Sequence, residues 1–194
     1  MYRRQPNWVL GFHGTDVETV KKVLCNPKEH LTASENDYDW LGSGIYFWEN
    51  DPERALQFAK ERMKWKKIRK KAAVIGAVID LGLCLNLFDQ SALSELKAAY
   101  DDFEFDMFLL DAPMPVNEGG KDRLFRRLDC AVIEHVHRLR KSSQSTPEYQ
   151  TVRSGFHEGG EVYAGSGFQT KNHIQIAVRN RSCIKGYFLP RPHG

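Results

Sequence analysis

The segment Tyr38-Asp39-Trp40-Leu41-Gly42-Ser43-Gly44-Ile45-Tyr46-Phe47-Trp48-Glu49-Asn50 places five aromatic side chains and two glycines within thirteen residues. Gly42 and Gly44 allow tight backbone at a strand entry, and Gly44 to Trp48 reads as that strand. Side chains alternate across a strand, so Tyr46 and Trp48 share one face and Phe47 takes the other. One aromatic face suits the core and the other suits stacking on a planar ligand ring; aromatic density alone does not separate these roles. Asn50-Asp51-Pro52 ends the strand, with Pro52 fitted to a first helical turn. Ala55, Leu56, Ala59 and Met63 are spaced as the apolar stripe of the helix that follows.

Upstream, Trp8 to Phe12 reads as a first strand ending at His13-Gly14. Thr15 and Glu18 have the spacing of a capping box, and Val17, Val20, Val23 and Leu24 form a helical stripe that stops before Pro27. A strand that delivers His and Gly into a helix start offers backbone N–H groups and an imidazole side by side, suited to an amide, hydroxyl or phosphate. A histidine at a strand end serves structure equally well.

Downstream, Ala73 to Leu81 is nearly continuous and apolar, as in a strand covered on both faces. Leu93, Leu96, Tyr100 and Phe103 predict a third helix, and Leu124, Leu128, Val132, His135 and Leu139 a fourth. Residues 111–120 read as a loop between them, and Lys141 to Val152 as a polar, mobile connector. Arg153 to Gln169 holds five glycines with Glu158 and Glu161. Ile174, Ile176 and Val178 then alternate with Gln175, Ala177 and Arg179, the period of a half-buried strand. Ile184 to Leu189 predicts a last strand. Strands at both ends with helices between them give a mixed α+β domain and not a regular βαβ repeat.

At 194 residues the chain suits one domain spanning 1–194, with a sizeable core. Its 41% hydrophobic, 27% charged and 11% aromatic content excludes wholesale disorder. No apolar run approaches the ~20 residues of a membrane helix. Met1 to Pro6 has no hydrophobic segment behind it to act as a secretion signal. Cys25, Cys84, Cys130 and Cys183 are scattered without zinc-site spacing, which reads as reduced thiols in a cytoplasmic protein and as no metal. The net charge of +3 hides a polarised chain. From Lys60 to Lys71 eight Lys and Arg face one acid, Glu61, for +7, while residues 101–118 hold six acids and no base. Such polarity steers a charged ligand, or is only a solvated helix face.

Taken together, His13-Gly14-Thr15 and, some thirty residues on, the Gly-x-Gly-Ile-Tyr-Phe of 42–47 with a helix behind it resemble the diphtheria-toxin-like ADP-ribosyltransferases, including the poly(ADP-ribose) polymerase catalytic domain. That family's signature is a His, a Tyr and usually a Glu on three strands of a split β-sheet. The likeness is close over Gly11 to Gly14 and Gly42 to Phe47, and looser over Asn172 to Val178 and Ile184 to Phe188. Residues 72–152 carry no motif of the family. The Tyr38 to Asn50 and His173-Ile174-Gln175-Ile176 segments look like an uncharacterised bacterial branch associated with toxin or phage-defence roles.

The resemblance implies an α+β domain with an ADP-ribosyltransferase-like split-sheet core and peripheral helices, using NAD as substrate. His13 would hydrogen-bond the adenosine-side ribose and the Gly14 backbone would clamp the nicotinamide amide. Tyr46 would stack on the nicotinamide ring, and Thr15 and Gly44 would shape the pocket walls. Where the family often has a Ser eight residues after the Tyr, this chain has Arg54, suited instead to the pyrophosphate. The larger departure is His173, which falls where the family's catalytic Glu stands. That Glu holds the nicotinamide ribose and stabilises the positive charge that develops as nicotinamide leaves. His173 or its same-face neighbour Gln175 offers hydrogen bonds without the charge. Glu158 and Glu161 bring charge if their loop folds over the site, or act on the acceptor, or are solvated acids.

The sequence therefore predicts an NAD-dependent mono-ADP-ribosyltransferase acting on a macromolecule, nucleic acid or protein, with no membrane partner. The stretch from Lys60 to Lys71, with Trp65 inside it, suits a nucleic-acid acceptor. The toxin-like branch implies an inhibitor or antitoxin protein. The alternatives are a degenerate module that binds NAD, ADP-ribose or nucleic acid, and an NAD-consuming enzyme like the RNA 2′-phosphotransferases or a hydrolase.

Overall fold

A computed structural model describes residues 8–143 and 145–191. The N-terminal segment read above for a secretion signal lies outside the described residues. Seven strands form one mixed sheet: β1 (Trp8–Asp16), β2 (Ile45–Glu49), β3 (Ala72–Asp80), β4 (Cys84–Asn86), β7 (Thr151–Phe156), β8 (His173–Val178) and β9 (Ile184–Phe188), in the order β4-β7-β8-β2-β1-β3-β9. Only β4 and β7 run parallel. A small hairpin joins β5 (Asn117–Glu118) to β6 (Phe125–Arg126). Four helices complete the α+β fold: α1 (Val17–Cys25), α2 (Pro52–Trp65), α3 (Gln90–Leu109) and α4 (Arg127–Ser142). Among the described residues, no helix is long and apolar enough to cross a membrane.

The sheet is held very unevenly. β1 pairs with β3 over nine residues, from Trp8↔Asp80 to Asp16↔Ala72, and β7 pairs with β8 over six. The register between β1 and β2 consists of two pairs, Gly11↔Glu49 and Phe12↔Trp48. From His13 onward β1 stays with β3, while Tyr46 and Phe47 stay with Ala177 and Ile176 of β8. The central junction of the sheet is thus also its narrowest, and it lies between the two sequence motifs.

Alternation across the strands sorts the core onto two faces. Ile45 and Phe47 pack with Ile75, Ile79 and Ile176 against Val20 and Val23 of α1 and against Leu31. On the other face Leu41, Ala177 and Val152 meet Ala92 and Ala99 of α3 and Ile133 and Val136 of α4. Phe12 and Trp48 on this second face are covered by Ala55 of α2, with Phe58 and Phe188 alongside.

Several sequence expectations need correction. The N-cap of α1 is Asp16, whose carboxylate accepts from the Glu18 and Thr19 amides, and Thr15 stays in β1 because pairing with β3 runs through Asp16. The polar connector 141–152 and the glycine-rich segment after it conceal β7, whose Val152 and Phe156 are buried. Arg153 disguises this strand, and the bidentate pair it makes with Glu49 (2.6 and 2.9 Å) neutralises it there. On α3 the buried positions are Ala92, Ala99 and Phe103, while Leu93 of the expected stripe is 40% exposed. The fourth helix starts at Arg127, and Leu124 and Leu139 are exposed. Residues 111–120 include β5. None of the four cysteines forms a disulfide; Cys25 is exposed, and burial pushes the Cys84 and Cys130 thiols up to about 11.

Candidate functional site

His13 stands where β1 and β2 part. Its Nδ1 lies 2.7 Å from the Tyr46 main-chain oxygen, and a carbonyl only accepts, so Nδ1 carries the proton. Burial, with the nearby Arg62 charge, depresses the imidazole pKa against the opposing effect of the Tyr46 carbonyl. The ring is therefore neutral near pH 7, and its Nε2 is left as a hydrogen-bond acceptor. The next residue, Gly14, lies on the opposite face directly beneath α2. A Cβ there would fall 2.0 Å from the Ala55 carbonyl oxygen, so only glycine lets the helix sit this close. Thr15 is half-buried in β1 opposite Ala73. Gly44 exchanges two backbone hydrogen bonds with Ser34 (2.8 and 3.0 Å), which brings the segment after α1 alongside the start of β2.

Tyr46 organises the loop that precedes its own strand. Its hydroxyl accepts from the Leu41 amide at 2.8 Å and donates to the Gly42 carbonyl at 2.7 Å. Burial raises its pKa well above that of an ordinary phenol, so the hydroxyl stays protonated. Gly42 adopts φ +72, and a side chain there would meet Glu134 Oε1 at 2.5 Å. That carboxylate accepts from the Ser43 amide (2.6 Å) and from Arg179 (2.6 and 3.1 Å), which hold its pKa below the usual range against the cost of its burial. The aromatic loop is thereby pinned from two sides.

β8 brings His173 and Gln175 to the face that carries Tyr46 and Trp48, through the register Trp48↔Gln175 and Tyr46↔Ala177. The His173 side chain is fully enclosed. Three aromatic rings surround it: Phe156 at 5.7 Å, Trp48 at 6.2 Å, and Trp40, which stacks at 6.2 Å with an interplanar angle of 26°. Its Nδ1 donates to the Lys171 carbonyl at 2.6 Å, and its Nε2 accepts from Gln175 Nε2 at 3.0 Å. Burial lowers its pKa, opposed by the Lys171 carbonyl and reinforced by Arg54. His173 is thus neutral, with both nitrogens engaged.

Above this box lies a charged lid. Arg54, 6% exposed, points from the first turn of α2 over the Trp48 ring at 5.8 Å, and its Nη2 meets Glu158 Oε2 at 2.7 Å. Glu158 Oε2 is also 4.0 Å from His173 Nδ1. Lys171 reaches Glu61 of α2 at 3.0 Å, and the Gly159 amide donates to Asp122 at 3.2 Å, so the glycine-rich loop is strapped across the face. Glu161 takes no part; it is exposed and accepts from the Gly165 amide of its own loop at 2.9 Å.

Two residues that sequence reasoning gave no role complete the cluster. Trp40 lies in the quoted motif, and its indole donates to the Leu124 carbonyl at 3.0 Å. The Arg126 guanidinium lies 4.3 Å from the Trp40 ring centre and 5.0 Å from that of Phe156; no local sequence signal marks it. Four buried donors of this region have no acceptor among the described residues: Arg54 Nε and Nη1, Trp48 Nε1 and Arg126 Nε. Buried donors are nearly always paired, and the Arg54 guanidinium, with orphaned N–H groups over the Trp48 ring and its nearest carboxylate beyond Glu158 at 3.9 Å (Glu61 Oε2), suits an anion with several oxygens.

Two surface grooves lie outside the aromatic box, the first of them reaching Gly44. One of about 680 Å³ is bordered by Glu35, Ser43, Tyr149 and Arg179, and one of about 530 Å³ by Asn36, Arg127, Cys130 and Glu134. Asp102, Asp106 and His135 also converge, their ligand atoms within 4.8 Å of one another. His135 already donates through Nε2 to Asp102 (2.6 Å) and accepts through Nδ1 from Arg138 (2.8 Å), which makes this trio a brace between α3 and α4. Comparison with protein-family models, with curated proteins and with solved structures finds no match to this chain.

Proposed function

We propose that this chain is an NAD-dependent mono-ADP-ribosyltransferase acting on a macromolecule, with a sheet of the split ADP-ribosyltransferase type. The observation that carries this reading is the set of orphaned buried donors on Arg54 and Trp48, on the face that also holds Tyr46 and His173. The two-pair junction between β1 and β2 beside His13 supports it from the backbone. The Tyr46 ring offers a stacking surface and the NAD pyrophosphate supplies the oxygens that Arg54 lacks. The neutral His13, whose side chain lies on the other face beside Phe47, offers Nε2 to a ribose hydroxyl where the dinucleotide passes through the gap between β1 and β2.

In this mechanism the pyrophosphate competes with Glu158 for Arg54. Once released, Glu158 is the carboxylate nearest the position of the family's Glu, 4.0 Å from His173 Nδ1. Cleavage breaks the bond between the ribose C1′ and the nicotinamide nitrogen, whose electron pair leaves with nicotinamide. The cation left on the ribose is stabilised by Glu158, and an oxygen or nitrogen of the acceptor bonds C1′ as it loses its proton.

A second reading, a module that binds NAD or ADP-ribose without reacting, is favoured by one observation: His173 is enclosed and both its nitrogens are engaged. One experiment separates the two. The protein is incubated with NAD labelled in the adenylate phosphate and a bacterial lysate, and free nicotinamide is measured in parallel. Label transfer by wild type, lost in Tyr46→Ala and in His13→Ala proteins that keep native circular dichroism, supports the transferase. Calorimetric binding of NAD with no nicotinamide release supports the module. No binding and no release overturns both.

A further inference from the structure

The basic stretch at the end of α2 has a structure that the NAD chemistry does not use. All eight Lys and Arg of residues 60–71 are exposed. Among the described residues only Lys70 of these eight is ion-paired, to Glu18 at 2.7 Å and Asp16 at 3.6 Å. The one acid of the stretch, Glu61, is turned toward Lys171. Seven cations therefore face solvent without a counter-charge among the described residues. In their midst Trp65 is 68% exposed, touched by the Lys66 ammonium at 6.0 Å from the ring centre. An indole this open at a helix end adds nothing to the core, and burying it against a partner is favourable.

We propose that this end of α2 and the turn after it bind single-stranded nucleic acid, with the cations along the phosphates and Trp65 stacked on a base. The charge matches a phosphate backbone. An open indole face calls for an unpaired base, which a duplex does not present without unstacking. A membrane surface fits less well, because an interfacial helix needs an apolar face to insert. Of the apolar residues of α2, Ala55 and Ala59 are buried and Leu56, Phe58 and Met63 are half-buried, and apart from Trp65 the one large exposed apolar side chain of residues 60–71 is Ile68. An acidic protein surface matches the charge but does not present an unpaired planar base to the open Trp65 face. Binding itself requires no NAD, and the inference stands or falls apart from the transferase reading.

The test is fluorescence anisotropy of the full chain, without NAD, on a labelled single strand of about 16 nucleotides and on the matching duplex, at several salt concentrations. The logarithm of the binding constant is expected to fall linearly with the logarithm of salt, with a slope of about −0.7 per phosphate contacted. Lys64→Ala and Lys67→Ala should each remove about 0.7 of that slope. Trp65→Ala should weaken binding between about 5- and 100-fold with the slope unchanged. No binding at about 50 mM salt overturns the proposal. So does preference for the duplex, an unaffected Trp65→Ala protein, or capture by phosphatidylserine vesicles in place of the oligonucleotide.

Discussion

The imidazole of His13 and the main-chain carbonyl of Tyr46 are joined by a 2.7 Å hydrogen bond that spans the point where β1 and β2 stop pairing. Strand register no longer holds the two motifs together there, so the side chain does. The same bond fixes the tautomer that leaves Nε2 as an acceptor. Replacing His13 with Ala is expected to cost about 1 kcal/mol in urea unfolding, the worth of one hydrogen bond. It should weaken NAD in calorimetric titration by about tenfold or more, as expected when a polar ligand group loses its partner. Unchanged affinity would remove His13 from the ligand site and leave it as a structural clip.

The Arg54–Glu158 pair separates stability from binding. Arg54→Met alone leaves Glu158 as a buried, poorly compensated charge and should cost about 3 to 5 kcal/mol. Arg54→Met with Glu158→Leu removes both charges and should return stability to within about 1 kcal/mol of wild type, because apolar replacement of a buried pair is often neutral. The double variant should nevertheless bind no NAD. A folded double variant with wild-type affinity would show that Arg54 holds the lid and not the pyrophosphate.

Gly14 tests how firmly α2 is seated. A Cβ 2.0 Å from the Ala55 carbonyl oxygen and 3.1 Å from the Ala59 Cβ forces the helix off β1, since neither contact is the tip of a flexible side chain. Gly14→Ala should destabilise by about 3 kcal/mol, which lowers the melting temperature by on the order of 10 °C in a domain of this size. A calorimetric scan with an unchanged midpoint would mean that α2 moves freely on the sheet.

What could be read in advance followed local pattern. The strands bearing His13, Tyr46 and His173 announce themselves by apolar runs or alternation, and α2 by Pro52 in its first turn; the cap is Asp51, whose carboxylate accepts from the Arg54 amide at 2.8 Å. Hidden features depend on long-range pairing. β7 keeps Arg153 within a strand because Glu49, far away in sequence, neutralises it. Arg126 joins the aromatic box only because the β5–β6 hairpin and α4 bring it over Trp40. The two loop glutamates are alike in composition, yet Glu158 turns inward to Arg54 while Glu161 caps its own turn. No spacing rule distinguishes them; the register of β7 with β8, which sets where the loop begins and ends, does.

His137 gives the fold a directional response to acid. It is buried in α4 with no partner for its Nε2 among the described residues, and desolvation, aided by Arg179 and Arg140 and opposed by Glu134 and Glu95, lowers its pKa to about 4. In the unfolded chain the same group titrates near 6.5, so between these values the unfolded state holds the extra proton. The contribution to stability is therefore complete above about pH 6.5 and is lost as the pH falls toward about 4, by about 2 kcal/mol at pH 5. His13 and His173 are shifted in the same direction and add to the slope. Urea unfolding at about pH 7.5 and about pH 5 should show the wild type losing at least about 2 kcal/mol. His137→Phe should lose about that much less over the same interval. Equal losses in the two proteins would mean that His137 is solvated or already protonated in the native state, and that the acid sensitivity arises elsewhere.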